Sequence, residues 1–425
     1  MNIPKNVRIC ECWARDGIQG HPQIIPTEKK IEIINRMIDV GFKRIEVTSF
    51  SHPKLVPQFA DCLDVLKGIN RKNSDASFIA IVPNEKALDR LLEAAEKGYG
   101  VHEITALISA SEDHLLANLE MTFAEVMPGL SNIVKRARKN GLNVIGCIGT
   151  SFGCPLAGEV PLEKLIELTD WYLQQGATSI MLGDTTGEAN PRQVRAVYRR
   201  MYELFPDVNF IGHFHDTRGM GLANTFAALE EGVVYHDCSI GGMGGQPATR
   251  RPKYHKGYTG NTCTEDMLGM MTEMGIDTGL DINRVLEMAW DIERICGGNL
   301  RGQVTRSRPV RHRSKDVLTL DGLTVGREIP ATLVSAGRRI SAEPMAPEAI
   351  KEWVVREALE KNWPLPESMK INTGALETKG DMDRKTILVT TLSVLKKEGA
   401  TACLKVLSQK SNGDVYLDGT VDLAF

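Results

Sequence analysis

Residues 209–219 read NFIGHFHDTRG, an apolar run that ends in two histidines, a carboxylate and a glycine. Side chains alternate between the two faces of a strand, so His213 and His215 are expected on the same face and close together. Two imidazoles in this arrangement can bind one metal ion. The alternative is two ordinary polar residues where a strand meets solvent. Polar residues that collect at the carboxyl end of a buried strand are typical of parallel α/β folds, so similar strands are expected elsewhere in the chain.

Short apolar runs of this kind occur eight times, each bounded by glycine, proline or polar residues. Amphipathic segments lie between them, and several end at a glycine, a common residue at helix C-caps. Eight strand–helix units in series predict an α/β fold, a (β/α)8 TIM barrel over roughly residues 5–290, with a doubly wound open sheet as the weaker alternative. The runs are VRICECW from Val7, RIEVTSF from Arg44, SFIAIVP from Ser77, HEITALIS from His102, LNVIGCIG from Leu142, TSIMLGD from Thr178, VNFIGHF from Val208 and VYHDCSIGG from Val234.

Composition excludes several classes of protein. The chain has 425 residues, of which 42% are hydrophobic and 25% charged, and its formal net charge is -3, so it has no overall electrostatic bias towards nucleic acid or membranes. No apolar run approaches the roughly 20 residues of a membrane helix, and the first residues lack the apolar core of a signal peptide. We therefore expect a cytoplasmic protein. The nine cysteines are scattered without a CxxC motif, which predicts reduced, buried thiols.

Potential metal ligands accumulate at the predicted carboxyl ends of the strands, where a TIM barrel carries its chemistry. The carboxylate of Asp16, the imidazoles of His213 and His215 and the amide oxygen of Asn261 would form a mixed nitrogen and oxygen ligand set. Because the set contains no thiolate, it suits Mg2+ or Mn2+, with Zn2+ as an alternative.

Arg15 precedes the proposed ligand Asp16 and is a candidate to stabilise an oxygen that becomes negative during a reaction. The alternative role is an ion pair with Glu46 or Asp184, which is compatible with the first. A divalent ion beside such an arginine suits the making or breaking of a carbon–carbon bond next to a carbonyl group, through an enolate.

Seven ordered motifs carry a resemblance to a known family: ARDGIQ, IEVTSFSHPKLVPQ, GTSFGCPLAGEVP, LGDTTG, HFHDT, GGMGGQP and GNTCTEDM. In this order and spacing the chain resembles 3-hydroxy-3-methylglutaryl-CoA lyase, within the DRE-TIM metallolyases, over about residues 7–300. The resemblance implies a TIM barrel and a divalent metal. It also implies residue roles: Asp16, His213, His215 and Asn261 would hold the metal, Arg15 would polarise the thioester carbonyl, Asp184 and Glu46 would support the site, and Gln19 would lie near the substrate.

The chain departs from the family pattern in one loop. Gln246 stands where the lyases have a catalytic cysteine, and a carboxamide cannot transfer a proton at neutral pH. His255, Cys263 and a metal-bound water are alternative proton sources. The family often has a tyrosine at the position of Arg218.

The same loop is longer than in the family and strongly basic. Its cations could bind the diphosphate of CoA or an acidic group of the substrate, and an equally good alternative is a solvated loop with incidental charge. The substrate-binding candidates are Arg250, Arg251 and Lys253, together with Lys54 from the SHPKLVPQ motif.

The remaining residues predict an additional domain. Residues 304–318 are basic without apolar periodicity, which predicts a linker between a barrel over 1–303 and a small α+β extension over 319–425. Within the extension, residues 347–362 are amphipathic, residues 383–399 read as helical or mixed, and residues 401–425 read as a hairpin with Asn-Gly at its turn. We assign this extension no activity from its sequence.

The leading hypothesis is a divalent-metal-dependent lyase that cleaves a 3-hydroxy-3-substituted acyl-CoA by retro-Claisen chemistry. The alternatives are an aldolase or condensing enzyme of the same superfamily, and an inactive homologue that acts as a binding or assembly subunit. We expect an acyl-CoA substrate, no nucleic-acid or membrane partner, and a homo-oligomer, either a dimer or a tetramer.

Overall fold

The computed structural model describes residues 3–72, 74–245, 259–298 and 300–310 and, beyond them, the backbone of six strands. The chain forms two compact units, Met1–Pro309 and Val310–Phe425.

The first unit is a closed barrel of parallel strands in which each strand pairs with the next and the eighth pairs with the first. Every strand lies within one of the eight runs predicted from the sequence, so the TIM barrel is confirmed. The strands are β1 (Arg8–Glu11), β2 (Arg44–Ser49), β3 (Ser77–Ile81), β4 (Glu103–Ser109), β5 (Asn143–Gly149), β6 (Ser179–Asp184), β7 (Phe210–Phe214) and β8 (Tyr235–Cys238).

The helices surround the barrel because each presents one apolar face to the strands. In α1, for example, Ile33, Ile34 and Met37 are fully buried, and the helix ends where Gly41 adopts a φ of 111°, a conformation that favours glycine. Among the described residues, no helix is both long enough and apolar enough to cross a membrane. The helices are α1 (Thr27–Val40), α2 (Cys62–Gly68), α3 (Glu85–Glu96), α4 (Glu112–Leu119), α5 (Phe123–Lys139), α6 (Leu162–Gln175), α7 (Pro191–Leu204), α8 (Gly221–Glu230), α9 (Thr264–Glu273), α10 (Ile282–Cys296) and α11 (Gln303–Ser307).

Two groups of buried apolar side chains hold the barrel together. The larger one lies between the strands and the helices. The smaller one fills the barrel interior and contains Cys10, Cys12, Ile79, Ile145, Cys147, Met181 and Ile211. The cysteines whose side chains the structure describes are all free thiols, as the sequence predicted.

The predicted linker began too early in the chain. Its first residues belong to α11, and Thr305 in that helix is 4% exposed and donates a hydrogen bond to Glu265 of α9. This helix forms because Asp266 accepts hydrogen bonds from its first two backbone amides, those of Gln303 and Val304. The first unit therefore extends to Pro309, and residues 311–318 of the predicted linker lie outside the described residues.

The second unit contains an antiparallel sheet in the order β10-β14-β13-β12-β9, with β11 also paired to β14. The predicted hairpin is confirmed, because β13 pairs antiparallel with β14. The helical or mixed reading of residues 383–399 was wrong, since β12 is a strand bonded on both sides, to β9 and β13. The amphipathic segment 347–362 and the Asn-Gly turn lie outside the described residues. The strands are β9 (Glu328–Val334), β10 (Ser368–Ile371), β11 (Glu377–Thr378), β12 (Ile387–Glu398), β13 (Thr401–Lys410) and β14 (Val415–Ala424).

Candidate active site

The site begins with a π-helical turn, Trp13–Gly17, directly after β1. The carboxylate of Glu11 at the end of β1 holds this turn, because it accepts hydrogen bonds from the backbone amides of Trp13 at 2.9 Å and Ile240 at 3.0 Å. Burial raises the pKa of Glu11 to about 8. The turn buries Arg15 and Asp16 side by side at the carboxyl end of the barrel. Turns of this type often occur at functional sites.

The two histidines at the end of β7 face Asp16. The Nε2 atoms of His213 and His215 are 3.1 Å apart and lie 3.7 Å and 3.4 Å from Oδ2 of Asp16. The Nδ1 atom of His215 is 2.9 Å from the carbonyl oxygen of Thr259. Since a carbonyl only accepts, this Nδ1 carries a hydrogen, and in the neutral ring Nε2 keeps a lone pair. The predicted pair of imidazoles is therefore formed as the strand alternation required.

Asn261 completes this cluster. Its side-chain nitrogen donates to Oδ2 of Asp16 at 2.8 Å and to the carbonyl of Met243 at 2.9 Å. Its Oδ1 is buried and has no hydrogen-bond partner among the described residues. A buried oxygen without a partner is costly unless something else binds it.

These atoms fit a divalent cation. Asp16, His213 and His215 each offer one ligand atom, and these atoms lie within 4.8 Å of one another. Two Nε2 atoms separated by 3.1 Å repel unless a proton or a cation lies between them. A cation would also bind the free Oδ1 of Asn261 and the carboxylate of Asp16, a nitrogen and oxygen set of the kind that Mg2+ and Mn2+ accept.

Arg15 lies between two carboxylates. Its Nη1 is 2.7 Å from Oδ1 of Asp16, and its Nε is 2.6 Å from Oε2 of Glu46. Burial opposes the charge on Asp16, but the Arg15 guanidinium and the nearby imidazoles outweigh it and hold the pKa of Asp16 well below its usual value. Gln19 donates to Oδ1 of Asp16 at 2.7 Å. Both Glu46 and Gln19 therefore belong to the cluster, and the predicted ion pair with Arg15 forms with Glu46.

Asp184 ends β6 and does not pair with Arg15. Its Oδ1 accepts hydrogen bonds from the backbone amides of Glu188 and Ala189, while its Oδ2 has no partner among the described residues. Burial raises the pKa of Asp184 to about 6. Lys54 is exposed in the loop after β2.

The remaining candidates belong to the basic loop or its surroundings. Cys263 is buried, its thiol is 2.9 Å from Oε2 of Glu265, and burial raises its pKa well above the usual value. Arg218 donates to the carbonyl oxygens of Thr186 and Gly187. Five predicted residues lie outside the described residues and remain predictions: Gln246, Arg250, Arg251, Lys253 and His255.

Sequence reasoning missed two buried carboxylates beside the cluster. Asp237 in β8 lies 3.1 Å from Nδ1 of His213, and Glu11 organises the turn that carries Asp16. The sequence signal was an acidic residue inside an apolar strand, where an unpaired charge is costly. Asp237 lies within strand β8 and not after its last residue, so the strand ends alone do not single it out.

Comparisons with known proteins agree with this geometry. The model of the HMGL-like family matches residues 6–292, more than half of the chain. Hydroxymethylglutaryl-CoA lyase YngG of Bacillus subtilis is 39% identical over 297 residues, which cover 70% of this chain and 95% of the relative. A Pseudomonas aeruginosa 3-hydroxy-3-isohexenylglutaryl-CoA/hydroxymethylglutaryl-CoA lyase is 33% identical over 296 residues, 70% of this chain and 94% of the relative.

A solved structure is similar over a slightly larger share of the chain. An HMG-CoA lyase from Acinetobacter baumannii, in complex with coenzyme A and 3-methylmalate, has a TM-score of 0.66 and 34% sequence identity. The match covers 74% of this chain and 98% of that chain.

Proposed function

Because the chain belongs to the HMGL-like family, whose matched relatives are carbon–carbon lyases, we propose that it cleaves a 3-hydroxy-3-substituted acyl-CoA with a divalent metal ion. The observation that carries the proposal is the convergence of the Asp16 carboxylate, two imidazole Nε2 atoms and the free Oδ1 of Asn261 in one buried cluster. A barrel does not need such a set for stability, since buried polar groups of this kind cost free energy when they have no partner.

Four residues would hold the metal: Asp16, His213, His215 and Asn261. When bound, a divalent ion polarises hydroxyl and carbonyl oxygens and so favours loss of the substrate hydroxyl proton. The carboxylate and amide oxygens suit Mg2+ or Mn2+, and the two imidazoles also suit Zn2+.

The lyase reaction needs a positive group where enolate charge develops, and Arg15 supplies it. Loss of the proton from the 3-hydroxyl forms the carbonyl of the keto product, the bond between C2 and C3 breaks, and its electron pair passes to the thioester as an enolate. The two ion pairs of Arg15 use Nε and Nη1, which leaves Nη2 for the thioester oxygen. Glu46 and Asp16 fix the guanidinium in advance, so little reorganisation is needed during the reaction.

Proton transfer would fall to groups whose pKa is close to neutrality. Asp184, with a pKa of about 6 and a free Oδ2, can give or take a proton in this range. His255 of the basic loop is a second candidate from the sequence. Gln246 would form hydrogen bonds to the substrate rather than transfer a proton.

The substrate would be a CoA thioester. Relatives act on hydroxymethylglutaryl-CoA and on 3-hydroxy-3-isohexenylglutaryl-CoA, and one solved relative holds coenzyme A with 3-methylmalate. The anionic CoA would bind cationic residues at the mouth of the barrel, for which the sequence offers Lys54, Arg250, Arg251 and Lys253. We further propose a cytoplasmic homo-oligomer.

The proposal is tested by assaying a panel of 3-hydroxy-3-substituted acyl-CoA thioesters with Mg2+ or Mn2+, before and after removal of metal with EDTA. We expect cleavage of at least one thioester, complete loss of turnover without metal, and loss of turnover of at least a thousandfold in His213→Ala. His102→Ala is the matched control, because it removes an imidazole that precedes β4, at the opposite end of the barrel. Full activity in a verified metal-free preparation would contradict the proposal.

A further inference from the structure

A carboxylate from the neighbouring strand touches one of the metal-site histidines. Strands β7 and β8 run parallel, and their register pairs His213 with Asp237. Oδ2 of Asp237 is 3.1 Å from Nδ1 of His213, and the Asp237 side chain is 2% exposed. An ionised carboxylate only accepts hydrogen bonds, so this Nδ1 carries a hydrogen, and in the neutral ring Nε2 has the lone pair.

A buried arginine lies on the other side of Asp237. Oδ1 of Asp237 is 4.0 Å from Nη1 of Arg44, and within the described part of the chain neither atom has a hydrogen-bond partner. Arg44 also approaches Glu103 at 3.5 Å. At these distances in a buried site, the guanidinium stabilises the charge on Asp237 and attracts Oδ1, which directs Oδ2 towards His213.

We propose that Asp237 is a positioning residue for the metal, because it holds His213 in the tautomer whose Nε2 lone pair faces Asp16 and His215. The inference rests on the metal site of the proposed function. A histidine binds metal through an unprotonated nitrogen, and the other tautomer would direct a hydrogen atom at the ion. The backbone carbonyl of Thr259 favours the same tautomer in His215. Because this carbonyl belongs to the main chain, a side-chain substitution does not remove it. Asp237 does this with a side chain, so its contribution can be measured.

The test is Asp237→Asn, which preserves the size of the side chain. Arg44 attracts the amide oxygen, so the amide nitrogen turns towards Nδ1 of His213 and donates to it. This favours the tautomer with hydrogen on Nε2. We expect the affinity for Mn2+, measured by calorimetry without acyl-CoA, to fall about 10- to 100-fold. Excess Mn2+ should restore part of kcat.

Asp266→Asn is the matched control. Asp266 is also a buried carboxylate, but it accepts hydrogen bonds from two backbone amides of α11, away from the histidines. This variant should bind Mn2+ as tightly as the unmodified protein. Equal losses in the two variants, or unchanged Mn2+ affinity in a folded Asp237→Asn protein, would overturn the proposal.

A spectroscopic measurement covers the case in which Asp237→Asn does not fold. In the unmodified, metal-free protein labelled with 15N-histidine, the ring nitrogens of His213 should show hydrogen on Nδ1. A neutral ring with hydrogen on Nε2 would overturn the proposal without any variant. A protein that binds Mn2+ as predicted but cleaves no acyl-CoA would contradict the proposed function and leave the role of Asp237 standing.

Discussion

At the scale of the residue, we propose that Gln246 sets which substrate the barrel can cleave. It stands in GGMGGQP where the family that the chain resembles has a catalytic cysteine. A thiol can deliver a proton near neutral pH, whereas a carboxamide only donates and accepts hydrogen bonds. We therefore propose that Gln246 recognises a polar substituent near the reacting carbon and that the proton comes from another group.

We predict that the unmodified protein cleaves 3-hydroxy-3-methylglutaryl-CoA poorly and prefers an acyl-CoA with a different 3-substituent. Gln246→Cys should raise kcat/KM for the methylglutaryl substrate by about tenfold or more, within the usual range for adding an acid catalyst, and lower it for the preferred one. Gln246→Ser is the matched control, since serine resembles cysteine in size but is not an acid near neutral pH, and it should show no such gain. A kcat/KM of about 10⁴ M⁻¹s⁻¹ or more for the methylglutaryl substrate in the unmodified protein would refute the prediction.

The residues of the candidate metal cluster could be selected from sequence because residue type and strand position agree. His213 and His215 share a face by strand alternation, and Asp16 and Asn261 follow β1 and β8 at the same end of the barrel. Asp237 could not be found in this way. Its role depends on the register between β7 and β8, which neighbouring side chains and loops decide together.

At the scale of the element, the eight barrel strands were predictable because each is a short apolar run between helices with clear caps. Strand β12 was not, because ILVTTLSVLKKE has apolar residues at both helical and strand spacings. Hydrogen bonds to β9 on one side and to β13 on the other decide the conformation of β12. β9 is distant in sequence and β13 is adjacent, and the sequence of β12 itself indicates neither pairing.

Glu11 connects four segments of the barrel mouth, and its ionisation makes the stability of the protein depend on pH. It ends β1, accepts from the backbone of Trp13 and Ile240, and accepts a hydrogen bond from Thr264 at the start of α9. Burial raises its pKa from the usual 4.5 to about 8. The folded state therefore prefers the neutral form, so Glu11 costs stability progressively as the pH rises from the unfolded pKa to the folded one.

We predict that Glu11→Gln becomes more stable relative to the unmodified protein as the pH rises from about 5 to 8, by about 1 kcal/mol for each pH unit. Urea unfolding at several pH values measures this difference. Glu96→Gln, an exposed substitution at the end of α3, should show no such trend. A difference that is constant or that shrinks with rising pH would mean that Glu11 is ionised in the folded protein.

At the scale of the whole molecule, the barrel unit corresponds to nearly the whole of the matched lyases. The Bacillus subtilis relative is matched over 95% of its length by 70% of this chain. All the described residues of the candidate metal cluster also come from the first unit. The lyase chemistry should therefore not depend on the second unit, Val310–Phe425.

The boundary between the units can be tested with two shortened chains. A chain that ends at Pro309 should keep kcat/KM for its acyl-CoA within about threefold of the full protein, since it keeps every described residue of the cluster.

A chain that ends at residue 302 lacks α11. It leaves Glu265 without its hydrogen bond from Thr305 and Asp266 without two backbone donors, and it should lose about 1–3 kcal/mol of stability for these buried groups. Glu265 also accepts from the amide of Gly241, at the start of the glycine-rich segment that leads to Gln246, so activity should fall together with stability. Circular dichroism and steady-state kinetics on both chains decide the matter. A folded but inactive chain ending at Pro309 would show that the second unit takes part in catalysis.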